Sequence, residues 1–206
     1  MPDLTVNADL LERHRQTGAP EYRIYEPATL SAVLGASGRP EQDLLLECLE
    51  SDSVPWMRRR GGGGTVVLCP GQVVLAVVTE VSSPFRNREY AAAINAWIVE
   101  ALTDLGVAGV HPEGISDLAI GQKKIVGTSI YRTRLTLFYQ ASLLVSNDIA
   151  IFTRYLAMPV KVPEYRRGRS HEDFCTTLAR AGHPLAVPEV IDALERVVSS
   201  RLPLLR

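Results

Sequence analysis

The sequence contains very little lysine. Of its 22 lysine and arginine residues, only Lys123, Lys124 and Lys161 are lysines. The 23 acidic residues nearly balance them, for a formal net charge of −1, so the overall charge gives no indication of nucleic acid or an acidic membrane as a partner. Arginine supplies nearly all of the positive charge in this chain, so the adjacent pair of lysines at residues 123 and 124 is unusual for its composition. Lysine supplies a compact ammonium whose pKa adjusts to its surroundings.

Cysteine and long apolar segments are also scarce. Cys48, Cys69 and Cys175 are odd in number and far apart, which predicts reduced thiols in a cytoplasmic protein and not a disulfide framework. The four histidines are scattered without the spacing of zinc ligands, so we expect no structural metal. No segment reaches the roughly 18 consecutive apolar residues of a transmembrane helix. The N-terminal stretch MPDLTVNADLLERHRQ lacks the features of a signal peptide.

Hydrophobic residues make up 46% of the 206 residues, which is enough for the core of a single domain. The predicted strands cover residues 22–26, 32–35, 54–57, 66–68, 73–79, 117–120, 124–131 and 135–145, and the predicted helices cover 41–50, 84–105, 148–156, 172–181 and 187–202. Ser82 and Ser83 are candidate N-caps of the longest helix. We expect an α+β fold, in which helices flank a mixed, largely antiparallel sheet. From about residue 163 we expect a short helical tail.

Three arginines, Arg58 to Arg60, are followed directly by four glycines, Gly61 to Gly64. Glycine loses more conformational freedom on folding than any other residue, so a folded domain rarely retains such a run without a use. The backbone N–H groups of successive glycines can turn toward one anion, and a neighbouring arginine adds a planar donor fork. A flexible surface linker is the alternative. The apolar strand that follows favours an anion-binding loop.

The lysine pair lies in the stretch QKKIVGTS, at residues 122–129. Alternation along an extended strand places Lys124 and Val126 on one face, and Lys123 and Ile125 on the other. Gly127 permits a close approach of backbone or ligand. The alternative is an exposed edge strand that carries solvated lysines, and the spacing of these residues does not decide between the two interpretations.

Five stretches of the chain together resemble one family of enzymes. The stretches RRRGGGGTVVLCPGQ and GISDLAIGQKKIVGTSIYR resemble the arginine–glycine signature and the lysine block of lipoate–protein ligases. The stretches VLGASGRPEQDL, FYQASLLVSND and RYLAMPVKV resemble further segments of that family, and the resemblance covers about residues 22–180. It implies a catalytic domain like that of the biotin and lipoate ligases. Residues 1–206 would form this one domain, without the large C-terminal accessory domain of the usual ligase.

The resemblance implies that ATP activates lipoate or octanoate as an acyl-adenylate, with Mg²⁺ entering together with ATP. Lys124 would be the catalytic residue, and Arg59 would hold the acyl carboxylate. The implied acyl-adenylate site consists of Arg59, Gly61, Gly62, Gly63, Gly64, Thr65, Val66, Asp117, Ile125, Gly127, Thr128 and Ser129. Asp117 would help to place magnesium or the adenylate. The segment 160–171 is a candidate loop that closes over the nucleotide, and a plain solvated basic loop is its alternative.

The implied acyl pocket consists of Gly35, Leu68, Tyr139 and Gln140. The family commonly has histidines where this chain has Leu68 and the stretch FYQ, so the choice between lipoate and octanoate stays open. The implied partner is a lipoyl carrier domain, from an E2 subunit or a glycine-cleavage H-type protein, whose lysine accepts the acyl group. A separate accessory subunit is a further candidate partner, as in split members of the family.

The alternative functions are an octanoyltransferase and a non-catalytic acyl-binding subunit. Octanoyltransferases of the same superfamily use a cysteine nucleophile, but this chain has none near Gly109 or Met158, where they carry it. Cys175 lies too far beyond Lys124 to match, which leaves Cys69 as a weak candidate. A non-catalytic acyl-binding subunit of a split ligase is the other function, and the retention of both the arginine and the lysine argues against it. A biotin ligase is disfavoured because its own arginine–glycine block is missing.

Overall fold

A computed structural model of the chain describes residues 7–159 and 162–205. Its strands are β1 (Glu21–Tyr25), β2 (Ser31–Leu34), β3 (Trp56–Arg58), β4 (Val66–Leu68), β5 (Gln72–Glu80), β6 (Val110–Glu113), β7 (Asp117–Ile120), β8 (Lys123–Arg132) and β9 (Thr136–Leu144). Six of them form an antiparallel sheet in the order β1-β5-β9-β8-β7-β6. The others form a small sheet in the order β3-β2-β4, in which β2 and β3 are parallel. The predicted mixed, largely antiparallel arrangement is confirmed.

The helices flank both sheets. They are α1 (Ala8–Thr17), α2 (Pro40–Asp43), α3 (Leu46–Ser51), α4 (Asn87–Asp104), α5 (Ala150–Tyr155), α6 (His171–Phe174) and α7 (Val187–Arg201), with 3₁₀ turns at Glu164–Arg166 and Leu202–Leu204. Helices α4 and α7 bury Ile94, Ile98, Val190, Leu194 and Val198 against the large sheet, at the spacing expected for one face of a helix. The segment after residue 163, which we expected to be a tail, therefore contributes a helix to the main core.

Strand β5 is covered on both of its faces. Val73, Leu75 and Val77 belong to the core beneath α4 and α7. Ala76 and Val78 belong to a second core on the opposite face, beneath α1. A strand that is buried on both faces reads as a continuous apolar run and not as an alternating one, which explains the sequence QVVLAVVTE.

The small sheet packs against α3, α5 and α6 and forms a separate core with them. The arginine–glycine block connects β3 to β4 and so belongs to the small sheet. The lysine pair lies at the start of β8 and belongs to the large sheet. The two motifs that carry the resemblance are therefore held by different sheets.

Two predicted helices are wrong in extent. The helix predicted over 41–50 is divided into α2 and α3, because Leu44 is extended (φ −120°, ψ 145°) and forms an isolated β-bridge with Leu156. The helix predicted over 172–181 ends at Phe174, because Cys175 is extended (φ −101°, ψ 156°) and forms a β-bridge with Lys124. At both places, backbone pairing with a distant segment overrides the local helix propensity.

Other boundaries also differ from the predictions. Helix α1 and strand β6 have no counterpart among the predicted elements. Helix α4 begins at Asn87 and neither Ser82 nor Ser83 caps it. Instead, the hydroxyl of Tyr90 accepts a hydrogen bond from the backbone N–H of Ser83 at 3.1 Å, so the preceding turn packs onto the helix. Within the described ranges, every helix is too short or too polar to cross a lipid bilayer.

Candidate active site

A cavity of about 1120 Å³ brings the two motifs together. Its walls come from the β3–β4 loop, from β8 and β9, and from the segment between residues 156 and 175 that the structure describes. The residues of the predicted site that line it are Arg59, Gly62, Gly63, Gly64, Thr65, Val66, Leu68, Asp117, Lys124, Gly127, Thr128, Ser129 and Gln140. Gly35, Gly61, Ile125 and Tyr139 lie outside this lining.

A β-bulge sets the direction of the lysine side chain. Lys124 pairs with Ala119 and Val126 pairs with Leu118, so Ile125 is one residue too many for the neighbouring strand. Ile125 and Val126 are both fully buried in the main core. The prediction that Ile125 and Val126 face opposite sides is therefore wrong, because it assumed a regular strand. Ile125 is a core residue and does not contact the site.

Lys124 is held in place by an ion pair and by its own strand. Its Nζ lies 2.8 Å from Oδ1 of Asp117, and both side chains are largely shielded from solvent. The Oδ2 atom of Asp117 accepts a hydrogen bond of 2.8 Å from the hydroxyl of Tyr165. A β-carbon at position 127 would lie 2.9 Å from both Cε and Nζ of Lys124. Glycine at that position is what allows the lysine side chain to lie along the strand.

Arg59 is buried beneath the glycine loop and donates to four acceptors. Its Nε donates to Oγ of Ser129 at 2.9 Å, and its Nη1 donates to the carbonyl of Val33 at 3.3 Å. Its Nη2 donates to the carbonyls of Gly62 and Gly64, at 2.8 and 2.7 Å. Burial lowers the pKa of Arg59 to about 10. These contacts shape the glycine loop, and the contact with the acyl carboxylate or its phosphoanhydride that the resemblance implies stays a prediction.

The neighbouring arginines have different surroundings. Nη1 of Arg58 donates to the carbonyls of Gly35, Ala36 and Gly38, at 3.2, 3.2 and 2.7 Å. Arg60 is exposed, with its guanidinium carbon 5.9 Å from the centre of the Tyr131 ring. Arg58 therefore stabilises the loop at residues 35–38, and Arg59 supports the glycine loop. Arg60 faces solvent.

The four glycines divide into packed and open positions. A β-carbon at Gly61 would lie 2.1 Å from Oγ of Ser129, and one at Gly35 would lie 2.1 Å from the carbonyl oxygen of Gly63. Both residues therefore let backbone segments approach each other, and neither lines the cavity. Gly62 and Gly64 have no atom within 4 Å of the equivalent position among the described residues. These two glycines present bare backbone to the cavity.

Polar groups behind the loop connect the cavity to the core. Thr128 Oγ1 donates to the carbonyl of Ser116 at 3.0 Å, and Nδ2 of Asn95 donates to the same carbonyl at 3.0 Å. Oγ of Ser129 donates to the carbonyl of Gly62 at 3.0 Å. The hydroxyls of Thr128 and Ser129, two residues of the implied acyl-adenylate site, are thus used within the protein. In contrast, Oγ1 of Thr65 is buried on the cavity wall without a hydrogen-bonding partner in the described chain.

Of the predicted acyl-pocket residues, Leu68 and Gln140 line the cavity. Tyr139 does not, because successive residues of β9 face opposite sides of the sheet. Its ring is fully buried in the main core, and its hydroxyl donates to Oδ1 of Asn95 at 2.6 Å. Burial raises the pKa of Tyr139, and the negative charge of Asp117 raises it further.

Sequence reasoning missed Arg166, His171 and Cys175, all of which line the cavity. Cys175 was dismissed because it is far from Lys124 in sequence, yet the two residues form a parallel β-bridge. Burial raises the pKa of the Cys175 thiol, while the charge of Lys124 opposes that shift. Cys69 does not line the cavity, and burial raises the pKa of its thiol to about 11. The basic run YRRGRSH was the one sequence signal that pointed to this region.

The structure describes only part of the candidate closing loop, residues 160–171. Residues 160 and 161 lie outside the described residues, and the rest packs against the cavity. Nη1 of Arg169 donates to the carbonyl of Gln122 at 2.7 Å, and its Nη2 donates to the carbonyl of Tyr165 at 2.8 Å. Across the described ranges, no group of three or more histidine, cysteine, aspartate or glutamate side chains is placed to hold a metal ion.

A family model described as the lipoyl protein ligase A/B catalytic domain matches residues 3–199 of the chain. The chain belongs to this family. Membership in the lipoyl protein ligase A/B family agrees with the resemblance found in the sequence and extends over almost the whole fold. The relatives that this chain matches include both lipoate ligases and octanoyltransferases.

Two relatives represent two activities. The lipoate-protein ligase A of Psychrobacter cryohalolentis is 29% identical over 126 residues, which are 61% of this chain and 35% of that protein. An octanoyltransferase of Rhizorhabdus wittichii is 29% identical over 165 residues, which are 78% of this chain and 70% of that protein. The chain spans about a third of the length of the curated ligases that it matches, 36% and 35%. Identity alone therefore does not separate the two reactions.

Solved structures of lipoate ligases have the same fold. A bi-partite lipoate protein ligase from Thermoplasma acidophilum, studied with its E2 lipoyl domain, gives a TM-score of 0.81 at 22% identity, over 95% of this chain and 77% of that chain. A lipoate-protein ligase A bound with ATP gives a TM-score of 0.80 at 22% identity, over 95% of this chain and 79% of that chain. At these identities the likeness establishes the fold, and the expected catalytic-domain fold is confirmed.

Proposed function

We propose that this protein is an ATP-dependent lipoate–protein ligase, which activates lipoate or octanoate as acyl-AMP and transfers the acyl group to a lysine of a lipoyl carrier domain. The observation that carries the proposal is the placement of Lys124. Its ammonium lies against Gly127, and Lys124 lines the same cavity as Gly62, Gly63 and Gly64. A fixed cation at that point stabilises negative charge as the carboxylate oxygen attacks the α-phosphate.

The cavity wall offers one region for the acyl chain and another for the activated carboxyl group. Val33, Leu68, Val74, Leu144 and Phe152 line the cavity and are buried. An apolar lining of this kind suits a medium-length acyl chain. On the glycine-loop wall, Gly62 and Gly64 leave room for the adenylate because they carry no side chain, and the buried hydroxyl of Thr65 has no hydrogen-bonding partner among the described residues. Arg59 keeps this wall in shape from below.

Magnesium enters the proposal only as the companion of ATP. Mg²⁺ is usually held by one or two carboxylates together with substrate phosphates and water. The cavity supplies Asp117 for that purpose, and this carboxylate also holds Lys124. The arrangement fits a metal that arrives with the nucleotide, since a resident metal would need a larger set of protein ligands.

The proposed acceptor is the lysine of a lipoyl carrier domain. The amine of that lysine attacks the acyl-adenylate carbonyl, forms the amide and releases AMP. The likeness to a bi-partite ligase supports a separate accessory subunit as a second proposed partner, because that ligase is itself divided.

The first experiment measures pyrophosphate release with ATP, Mg²⁺ and lipoate or octanoate, followed by mass spectrometry of an added lipoyl carrier domain. We expect pyrophosphate release and a carrier mass that rises by one acyl group only when ATP is present. Lys124→Ala should abolish both signals in a folded protein, while Lys123→Ala, next to it and exposed, should retain both. Normal pyrophosphate release by Lys124→Ala would refute the role of this lysine. Acyl binding without turnover would favour the non-catalytic subunit.

The position of Cys175 favours a second candidate, an ATP-independent acyl transferase. In that reaction the Cys175 thiolate would attack a carrier thioester, release the carrier thiol and hold the acyl group until a lipoyl-domain lysine displaces it. Burial raises the pKa of Cys175, which keeps the thiol protonated and therefore less reactive. We expect Cys175→Ala to retain ATP-dependent ligation. Transfer from octanoyl carrier protein without ATP, lost in Cys175→Ala, would establish the transferase instead.

A further inference from the structure

Three buried or half-buried cations line the cavity and differ in how their charges are satisfied. Arg59 donates to four acceptors, and Lys124 is paired with Asp117. Arg166 is only 4% exposed and also lines the cavity. Within residues 7–159 and 162–205, no carboxylate oxygen lies within 4 Å of its guanidinium. Arg166 is therefore a buried cation without an anionic partner.

Among the described residues, Arg166 has few hydrogen-bonding partners for its donors. Its Nε donates to the carbonyl of Arg169 at 2.9 Å, and its Nη2 lies 3.4 Å from the sulfur of Met158. Its guanidinium carbon lies 4.9 Å from the centre of the Phe174 ring. An arginine has five N–H donors, and here one of them meets an oxygen of the described chain. The guanidinium thus lies over the ring of Phe174, and Arg166 lines the cavity.

An unpaired buried charge is costly unless a ligand completes it. Burial lowers the pKa of Arg166, and the charge of Arg169 adds to this effect. The backbone N–H of Arg166 donates to the carbonyl of Pro163, and Tyr165 next to it holds Asp117, so the segment that carries Arg166 is tied to the lysine site. A bound anion would compensate the charge in a position that the fold already fixes.

Arg166 and Lys124 line the same cavity. Both charges act on the thiol of Cys175, which lies beside Lys124 in the backbone. Lys124 is already paired with Asp117. A nucleotide with several phosphates brings more negative charge than this pair can compensate, whereas an acyl carboxylate brings a single charge. A planar guanidinium also matches the oxygens of a phosphate group.

We propose that Arg166 binds a phosphate group of the nucleotide inside the cavity, as a second cationic contact beside Lys124. The inference rests on the proposed ATP-dependent function. It assigns to Arg166 a role in nucleotide affinity and not in holding the fold or the acyl chain. Its neighbour Arg167 is exposed and does not line the cavity, so it provides a matched control.

The test compares the wild type, Arg166→Met and Arg167→Gln by calorimetric titration with ATP and Mg²⁺ and, separately, with octanoate. Methionine fits the apolar surroundings of Met158 and Phe174, so the melting temperature of the ligand-free protein should be unchanged. The dissociation constant for ATP should rise about 10-fold to 100-fold, the loss expected for one or two hydrogen bonds to a charged group. The dissociation constant for octanoate should not change, and Arg167→Gln should resemble the wild type in both titrations.

Each other outcome has one meaning. Wild-type ATP affinity in Arg166→Met overturns the inference while the proposed function stands. Weaker octanoate binding with normal ATP binding also overturns it, since the anion would then be the acyl carboxylate. A wild type that binds no ATP removes the proposed function and the inference with it. If Arg166→Met melts several degrees lower, Arg166→Lys decides: a several-fold weaker ATP affinity supports the inference, and an unchanged affinity overturns it.

Discussion

Lys124 occupies the space that a side chain at position 127 would need, because a β-carbon built on Gly127 lies 2.9 Å from both Cε and Nζ of the lysine. The two residues are three positions apart and would face opposite sides of a regular strand. The bulge at Ile125 brings them to the same face. The lysine and the glycine of this block are therefore one steric unit.

Gly127→Ala is expected to lower the rate of acyl-adenylate formation by about 100-fold, because a displacement of about 1 Å in a catalytic group has an effect of that size. The added methyl group pushes the ammonium away from Asp117 without disturbing the core. Pyrophosphate release and thermal unfolding measure the two effects. Lys123→Ala is the matched control in the same strand and should retain wild-type rates. Normal activity in Gly127→Ala would show that the lysine can act from another position.

Arg59→Met is expected to lower the free energy of unfolding by about 3 kcal/mol or more, because it leaves buried carbonyls of the glycine loop unpaired. Arg60→Met removes the same charge from an exposed neighbour and should change it by about 0.5 kcal/mol or less. Urea unfolding of both variants gives the comparison. Equal stability of the two would contradict the role of Arg59 as the support of the loop.

Tyr165→Phe is expected to reduce the rate of adenylate formation about 10-fold, because the charged carboxylate of Asp117 no longer accepts a hydrogen bond from Tyr165 and holds Lys124 less firmly. The ring contact with Phe174, with centroids 5.0 Å apart, is kept. Burial and then Asp117 raise the pKa of Tyr165, so the phenol stays a donor throughout the assay range.

The control for that substitution is Tyr155→Phe. The hydroxyl of Tyr155 donates to the carboxylate of Asp52 at 2.7 Å, in a comparable bond away from the cavity. Its loss should leave the rate unchanged. A similar decrease in both variants would indicate a general loss of stability and not a specific effect on the site.

His171→Gln is expected to flatten the acid side of the stability profile. Burial, and then the charge of Arg166, lowers the pKa of His171 below its ordinary value of 6.5. Below pH 6.5 the unfolded chain therefore binds more protons at this residue than the native protein, and stability decreases as the pH falls. Above pH 6.5 the contribution is fully present. Urea unfolding between pH 5 and pH 7.5 should give wild-type and variant curves that diverge toward acid, and parallel curves would contradict the shift.

Much of this fold follows from local sequence patterns. The apolar run of β5, the periodicity of α4 and the glycine and lysine blocks all appear in the sequence, and the structure places both blocks around one cavity. Each of these features depends on residues that are close together in the chain. Alternation and helical periodicity are reliable over such distances.

The errors arise where distant segments pair. The β-bridge between Lys124 and Cys175 ends a predicted helix and brings a dismissed cysteine to the cavity wall. The bulge at Ile125 depends on how β7 aligns with β8, which a single strand does not encode. Tyr139 was assigned to the acyl pocket from a resemblance that does not specify which face of β9 it occupies. In each case the missing information is a tertiary contact.

The bulge also has a consequence for how this chain tolerates insertions and deletions. Without Ile125, Lys124 would still pair with Ala119 and Val126 with Leu118, and Gly127 would remain on the face of the lysine. A deletion further along β8 would shift its pairing with β9 by one residue. The shifted side chains of β8 would then lie on the opposite face of the sheet. Deletion of residue 125 would therefore cost core packing. It would keep Lys124 and Gly127 on the same face of the strand.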